Sequence, residues 1–176
     1  MGGIVGADVF KHGVSSGMGN FATNSFFIWA QRTTIPYKGF PRGRFFNFKN
    51  DDIEALKENI PEIKYIAPKI SGWSAGEGTN NTVRKDKTGA FSIKGEFPDW
   101  SKVDPMEIEG RFINPFDLEE RRKVAVIGSR VREVLFDPEE EVIGQSIRIQ
   151  GIYFTVIGVF KPLNTQINFV IWVNFF

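Results

Sequence analysis

The chain has no cysteine and a single histidine, His12. The first absence excludes disulfides, a thiolate nucleophile and any Cys-ligated metal, while leaving the compartment open. The second leaves nothing from which to build a His-based triad or a His-rich metal cluster. Long apolar runs are missing as well: no stretch approaches the roughly 20 residues with which a helix crosses a bilayer. Nor is there a charge excess, since Lys+Arg 22 against Asp+Glu 21 leaves a formal net charge of +1. No strong overall field draws the chain to nucleic acid or to anionic lipid.

What the chain does contain is apolar mass with α/β punctuation. Over 176 residues, a hydrophobic share of 41% suffices for one core or two small ones. Ser25–Thr33 is aromatic and β-branched and predicts a strand. Asp51 is placed to cap a short helix, with Glu54 reaching back as in a capping box and Ile53, Leu56 and Ile60 as the apolar stripe. Pro61 ends it. The alternation over Ile63–Ser71 predicts a strand, and Gly72–Asn81 a loop. Lys87-Thr88-Gly89 reads as the turn of a projecting hairpin between Thr82–Asp86 and Ala90–Phe97, in which Phe91 and Ile93 face one way. A strand near Glu107–Arg111 leads back to α/β structure.

Asp117-Leu118-Glu119-Glu120 carries a second capping-box pattern. Val124–Ile127 is continuously apolar, as in a strand covered on both faces. Ser129 is placed to cap the following helix, whose stripe is Val131, Val134 and Leu135. Ser146–Gln150 and Ile152–Phe160, joined around Gly151, predict a closing hairpin, and Phe169–Phe176 a buried strand. The fold class is therefore α+β, a mixed sheet with short helices and a smaller inserted β-rich lobe near residues 72–106.

Candidate chemistry is sparse. Asp51 with Asp52, or Glu119 with Glu120, would serve as acid and base only if burial separated their pKa values, and carboxylates at helix starts ordinarily cap and solubilise. Glu139-Glu140-Glu141 lacks the alternating oxygen ligands and central Gly of a calcium loop. Gly76-Glu77-Gly78-Thr79 is not followed by Gly-Lys-Ser/Thr, and Val126-Ile127-Gly128-Ser129 lacks dinucleotide-binding glycine spacing. Lys38–Phe46 interleaves basic and aromatic residues, which suits either strand stacking of nucleic acid or a strand entry whose Phe side chains are core. Arg111 is placed to pair with Asp117 and fix a turn. No catalytic, cofactor or metal residue is assigned. A partner-contact surface is expected on the loop and hairpin, at Trp73, Glu77, Arg84, Lys85 and Lys87, with Trp73 as aromatic anchor.

An ordered series of motifs ties these elements together. Gly110-Arg111-Phe112, Asp117, Val124-Ala125-Val126-Ile127-Gly128, Leu135-Phe136, Ile143-Gly144 and Tyr153-Phe154-Thr155-Val156-Ile157-Gly158-Val159 resemble the extracytoplasmic core domain of MacB/FtsX-type ABC transporter permeases. A second block, Ala22–Trp29 with Gly43-Arg44, Asp52-Ile53 and Ile66-Ala67-Pro68, is similar to the Bacteroidetes-like branch of that family. The resemblance implies a domain at residues 22–176 after a flexible leader at 1–21, cut short at its C-terminus. It implies a place on the periplasmic side of the bacterial inner membrane, in a multi-pass permease that works as a dimer with a separate cytoplasmic ABC ATPase. The expected partners are a membrane fusion (adaptor) protein and an outer-membrane channel, with no nucleic acid and no cofactor. Alternatives within the family are lipoprotein handling and FtsX-like control of a cell-wall hydrolase. A free-standing periplasmic ligand-binding module is the alternative outside it.

Overall fold

A computed structural model describes residues 28, 32–36, 38–45, 47–73, 81–104, 106–161 and 170–174. The leader at 1–21, most of the Ser25–Thr33 strand and Glu77 lie outside them. The described helices are α1 (Asn50–Asn59), α2 (Trp100–Val103), α3 (Pro115–Glu119) and α4 (Ser129–Leu135). The strands are β1 (Lys69–Trp73), β2 (Thr82–Arg84), β3 (Lys87–Gly89), β4 (Ser92–Glu96), β5 (Glu107–Gly110), β6 (Val124–Gly128), β7 (Ser146–Ile149), β8 (Ile152–Lys161) and β9 (Val170–Val173). The chain divides into two compact units, Asn24–Ile66 and the remainder.

In the larger unit all nine strands join one mixed sheet in the order β1-β4-β9-β6-β8-β7-β2-β3, with β5 also on β8. β4 with β9 and β6 with β8 are parallel, and the other pairings are antiparallel. Strands β2 to β4, which sequence reasoning assigned to a smaller lobe, enter this sheet near both ends. β6 is buried at every position, as its unbroken apolar run predicts. Ala125, Ile127, Val156, Val159, Ile171 and Val173 join Val131 and Leu135 of α4 in the main core. On the opposite face Trp172 stacks on Phe160 with centroids 4.0 Å apart and takes the edge of Phe112 at 5.6 Å. Val170–Val173 is thus the buried strand expected near the C-terminus.

The closing hairpin also matches: Gln150 and Gly151 both have positive φ (47 and 87), the signature of a tight two-residue turn whose twist suits the flanking strands. Other boundaries shift for local reasons. Helix α1 starts before Asp51, and Asp52 rather than Glu54 reaches back, accepting from the Lys49 amide at 2.7 Å. Ile53 and Leu56 are half-buried, whereas Ile60 is exposed. Only Lys69 onward of the alternating Ile63–Ser71 segment pairs as a strand. Helix α3 is capped by Asn114, whose side chain accepts from the Asp117 amide while Asp117 accepts from the Asn114 amide. Helix α4 follows Gly128 with no side-chain cap from Ser129, and Val134 points outward.

The Arg111–Asp117 pair forms as anticipated. Arg111 Nη1 and Nη2 donate to Asp117 Oδ2 and Oδ1 at 2.6 and 2.9 Å. Burial works to raise this carboxyl, but the hydrogen bonds from Arg111 and the Asn114 amide outweigh it and hold it below its ordinary value. From the far end of the chain, buried Asn174 donates to the Asp117 and Arg122 carbonyls at 2.6 and 3.1 Å.

The glycines of the Gly110-Arg111-Phe112 and Ile157-Gly158-Val159 motifs lie opposite each other in the β5–β8 ladder. A Cβ on Gly158 would strike the Arg111 carbonyl oxygen, and one on Gly110 would meet the Ile157 carbonyl at 2.5 Å. Gly158→Ala should therefore destabilise the domain by about 1–3 kcal/mol, the usual cost of overpacking against backbone. Urea unfolding beside the wild type checks it, and an unchanged midpoint would refute the close-approach account.

Candidate functional site

The β2–β3 hairpin carries the cations named for partner contact. Its register pairs Arg84 with Lys87, so the turn is Lys85-Asp86, not Lys87–Gly89, and β4 is not the second strand. Asn81 explains the difference. Its side chain donates to the Phe91 carbonyl at 2.6 Å and accepts from the Phe91 amide at 3.1 Å, standing in for a strand partner where the chain leaves the hairpin. β4 then crosses to pair with β1 and β9.

The hairpin is tied down along one side. Arg84 is buried under the Phe136 ring, 4.0 Å from its centroid, and donates to Glu140 Oε2 at 2.9 Å and to the Leu135 carbonyl at 3.3 Å. Hydrogen bonds from Arg84 and Lys85 bring the Glu140 carboxyl down to about 2. Lys87 pairs with Asp137 at 2.6 Å. Arg84 is therefore an internal strut and cannot be the contact residue proposed from sequence, because a partner cannot reach it without unseating Glu140. Lys85, with 64% of its side chain exposed, and the partly exposed Lys87 stay at the surface, each paired with an acidic side chain, Glu140 and Asp137 respectively. Trp73 does not join them: it ends β1, at the opposite end of the sheet order from β3.

Sequence reasoning missed a buried carboxylate. Phe91 and Ile93 share one face and lie in the core, as expected, and strand alternation puts Glu96 on the other face. Yet Glu96 is wholly buried at the β1–β4 edge, with Lys69 Nζ 2.9 Å from Oε1 and no donor well aligned on either oxygen among the described residues. Lys69 also lies 4.0 Å over the Trp100 ring. Burial pushes the Glu96 carboxyl up, the charges of Lys69 and Lys94 oppose, and Asp104 adds to the rise. Burial likewise raises Asp104, and lowers Lys94 with help from Lys69. No one-dimensional signal marks Glu96, because its burial comes from β1 pairing Lys69 opposite it. The carboxylates weighed from sequence as acid–base pairs, Asp51 with Asp52 and Glu119 with Glu120, are all exposed. Among the described residues no three His, Cys, Asp or Glu side chains group to hold a metal ion.

Since folded Glu96 holds its proton to higher pH than the unfolded chain does, its favourable contribution is complete below the ordinary value of 4.5 and is lost as pH rises through the folded value. Glu96→Gln should consequently gain stability relative to wild type as pH is raised from about 4 to about 8, read as the difference between two urea curves. A difference independent of pH would show that the carboxylate is solvated.

The whole architecture has known counterparts. Residues 4–176 match the family of MacB-like periplasmic core domains. The chain is 30% identical over 154 residues to the pyoverdine export ATP-binding/permease protein PvdT of Pseudomonas savastanoi pv. phaseolicola, covering 86% of this chain and 21% of that protein. It is 33% identical over 110 residues to the macrolide export ATP-binding/permease protein MacB of Bdellovibrio bacteriovorus, covering 62% of this chain and 16% of that one. Among solved structures, the periplasmic region of MacB from Actinobacillus actinomycetemcomitans superposes with a TM-score of 0.59 at 17% identity, covering 82% of this chain and 63% of that one. The extracellular domain of the transporter YknZ from Gram-positive bacteria gives the same TM-score at 18% identity, covering 73% and 63%. The chain spans about a fifth of the length of the first of these curated relatives. With its motif order, its mixed sheet and a match across nearly its whole length, this chain belongs to the family of MacB-like periplasmic core domains.

Proposed function

We propose that the chain is the extracytoplasmic part of an ABC transporter permease devoted to export, on the periplasmic side of the inner membrane. It passes the movement of membrane helices, driven by a cytoplasmic ABC ATPase, to a membrane fusion protein and through it to an outer-membrane channel. The permease works as a dimer. The observation that carries this reading is the family match over residues 4–176, together with relatives named as export ATP-binding/permease proteins.

The mechanism is mechanical. A sheet buried on both faces of its central strands moves as one body, and a hairpin braced through Arg84 and Glu140 moves with it instead of bending. Lys85 and Lys87 at the hairpin tip then present positive charge to an acidic surface of the adaptor.

In the full-length permease, Lys85→Glu with Lys87→Glu should weaken adaptor binding roughly tenfold, about 1.4 kcal/mol, without altering ATPase turnover in detergent. A photo-crosslinker at Lys85 should capture the adaptor. Crosslinks to a lipoprotein or a cell-wall hydrolase, with none to an adaptor, would replace the exporter reading by the corresponding family alternative.

A further inference from the structure

The near-neutral total charge conceals a lopsided distribution. Between Asp8 and Asp51 there is no Asp or Glu at all, while Lys11, Arg32, Lys38, Arg42, Arg44 and Lys49 fall in that interval. The described part of this stretch is a loop within the Asn24–Ile66 unit. The Thr33 amide donates to the Arg44 carbonyl at 2.9 Å, the Gly43 amide to the Thr33 carbonyl at 2.6 Å, and Arg32 bridges Phe45. The loop is closed at its base, and its side chains face outward.

Those side chains are aromatic and cationic together. Phe40 and Phe45 are 55% and 71% exposed, so these two rings are not the strand-entry core that the sequence also allowed. Each carries a guanidinium: Arg44 lies 4.1 Å over the Phe40 ring and Arg32 lies 4.3 Å over the Phe45 ring. Stacking holds a guanidinium flat against the ring and leaves its N–H edges free to fork onto phosphate oxygens. Among the described residues none of Arg32, Arg42 and Arg44 is engaged in an ion pair. Solvent exposure of two phenyl rings costs free energy that burial in an apolar boundary would recover, and the flanking cations require that this boundary be negatively charged.

We propose that the Arg32–Phe45 loop docks on a membrane surface, its rings entering the headgroup boundary and its arginines pairing with the phosphates of anionic phospholipids. The occupant is a bilayer rather than a nucleic acid strand for two reasons. Each ring already has one face covered by its own arginine, which leaves a single face per ring for stacking and favours insertion of the exposed ring into an apolar boundary. With a net charge of only +1, the loop's cations act locally, within about 10 Å of a surface already at hand, and do not draw a free polyanion out of solution.

The 176-residue chain is sedimented with vesicles of phosphatidylcholine alone and of phosphatidylcholine with phosphatidylglycerol. Partitioning should favour the anionic vesicles and fall toward the neutral level near 1 M salt, where charges are screened beyond about 3 Å. Arg42→Gln with Arg44→Gln should lower it roughly fivefold per cation removed, and Arg42→Lys with Arg44→Lys should restore most of it. Phe40→Ser with Phe45→Ser should abolish the salt-resistant remainder. Far-UV circular dichroism should be unchanged in all three, since every altered side chain is exposed. Equal binding to both vesicle types, or an Arg-to-Gln variant that binds as wild type, would overturn the proposal. So would salt-sensitive binding of a single-stranded oligonucleotide with no binding to either vesicle.

Discussion

The domain depends on one carboxylate. Asp117 receives the guanidinium of Arg111 at the exit of β5, caps α3 through the Asn114 amide, and offers its own carbonyl to Asn174 just beyond β9. The exit of β5, the start of α3 and the distant segment after β9 are therefore indexed to one residue. In a wholly buried position the two Arg111 donors and the Asn114 amide on its side-chain oxygens favour the ionised form. The partners make ionisation favourable despite burial, which is why the group is held below its ordinary value. The ordered motif Gly110-Arg111-Phe112 then Asp117 is the sequence image of this node.

Glu96 shows the opposite balance. It too is wholly buried, but its partner Lys69 is shared with the Trp100 ring and no aligned donor satisfies its oxygens among the described residues. The two carboxylates have the same chemistry and the same burial, and their titration moves in opposite directions because one site has fixed donors and the other has only a nearby charge. The first behaves as a structural rivet. The second is a point of stored cost at the sheet edge, relieved by protonation.

Local patterning made much of the core legible. The continuous run at Val124–Ile127 foretold a strand covered twice, and Gly151 foretold the tight turn after β7. The Arg111–Asp117 pair followed from opposite charges flanking a turn. What stayed hidden was pairing at long range. Asn81 satisfies the Phe91 backbone ten residues on, which moves the hairpin turn to Lys85-Asp86, and nothing in the local spacing announces it. Glu96 is buried where β1 places Lys69 opposite it, and Arg84, one of the cations expected to meet a partner, is instead held by Glu140, more than fifty residues on. The basic aromatic loop reversed the error: its rings resembled core and proved to be surface. Periodicity reports which face a residue shares with its neighbours, not which face another strand will cover.

The position of β9 has a consequence for how the domain comes into being. It lies between β4 and β6, parallel to one and antiparallel to the other, and among the described residues no other strand connects the β1–β4 pair to the ladder running from β6 to β3. Until synthesis has passed Val173 and that segment has cleared the ribosome, the emerging polypeptide can make two separate ladders but not one sheet. Asn174, arriving immediately behind, then latches onto the Asp117 carbonyl. Assembly of the single sheet therefore waits on β9, and until that strand docks the facing edges of β4 and β6 stay open.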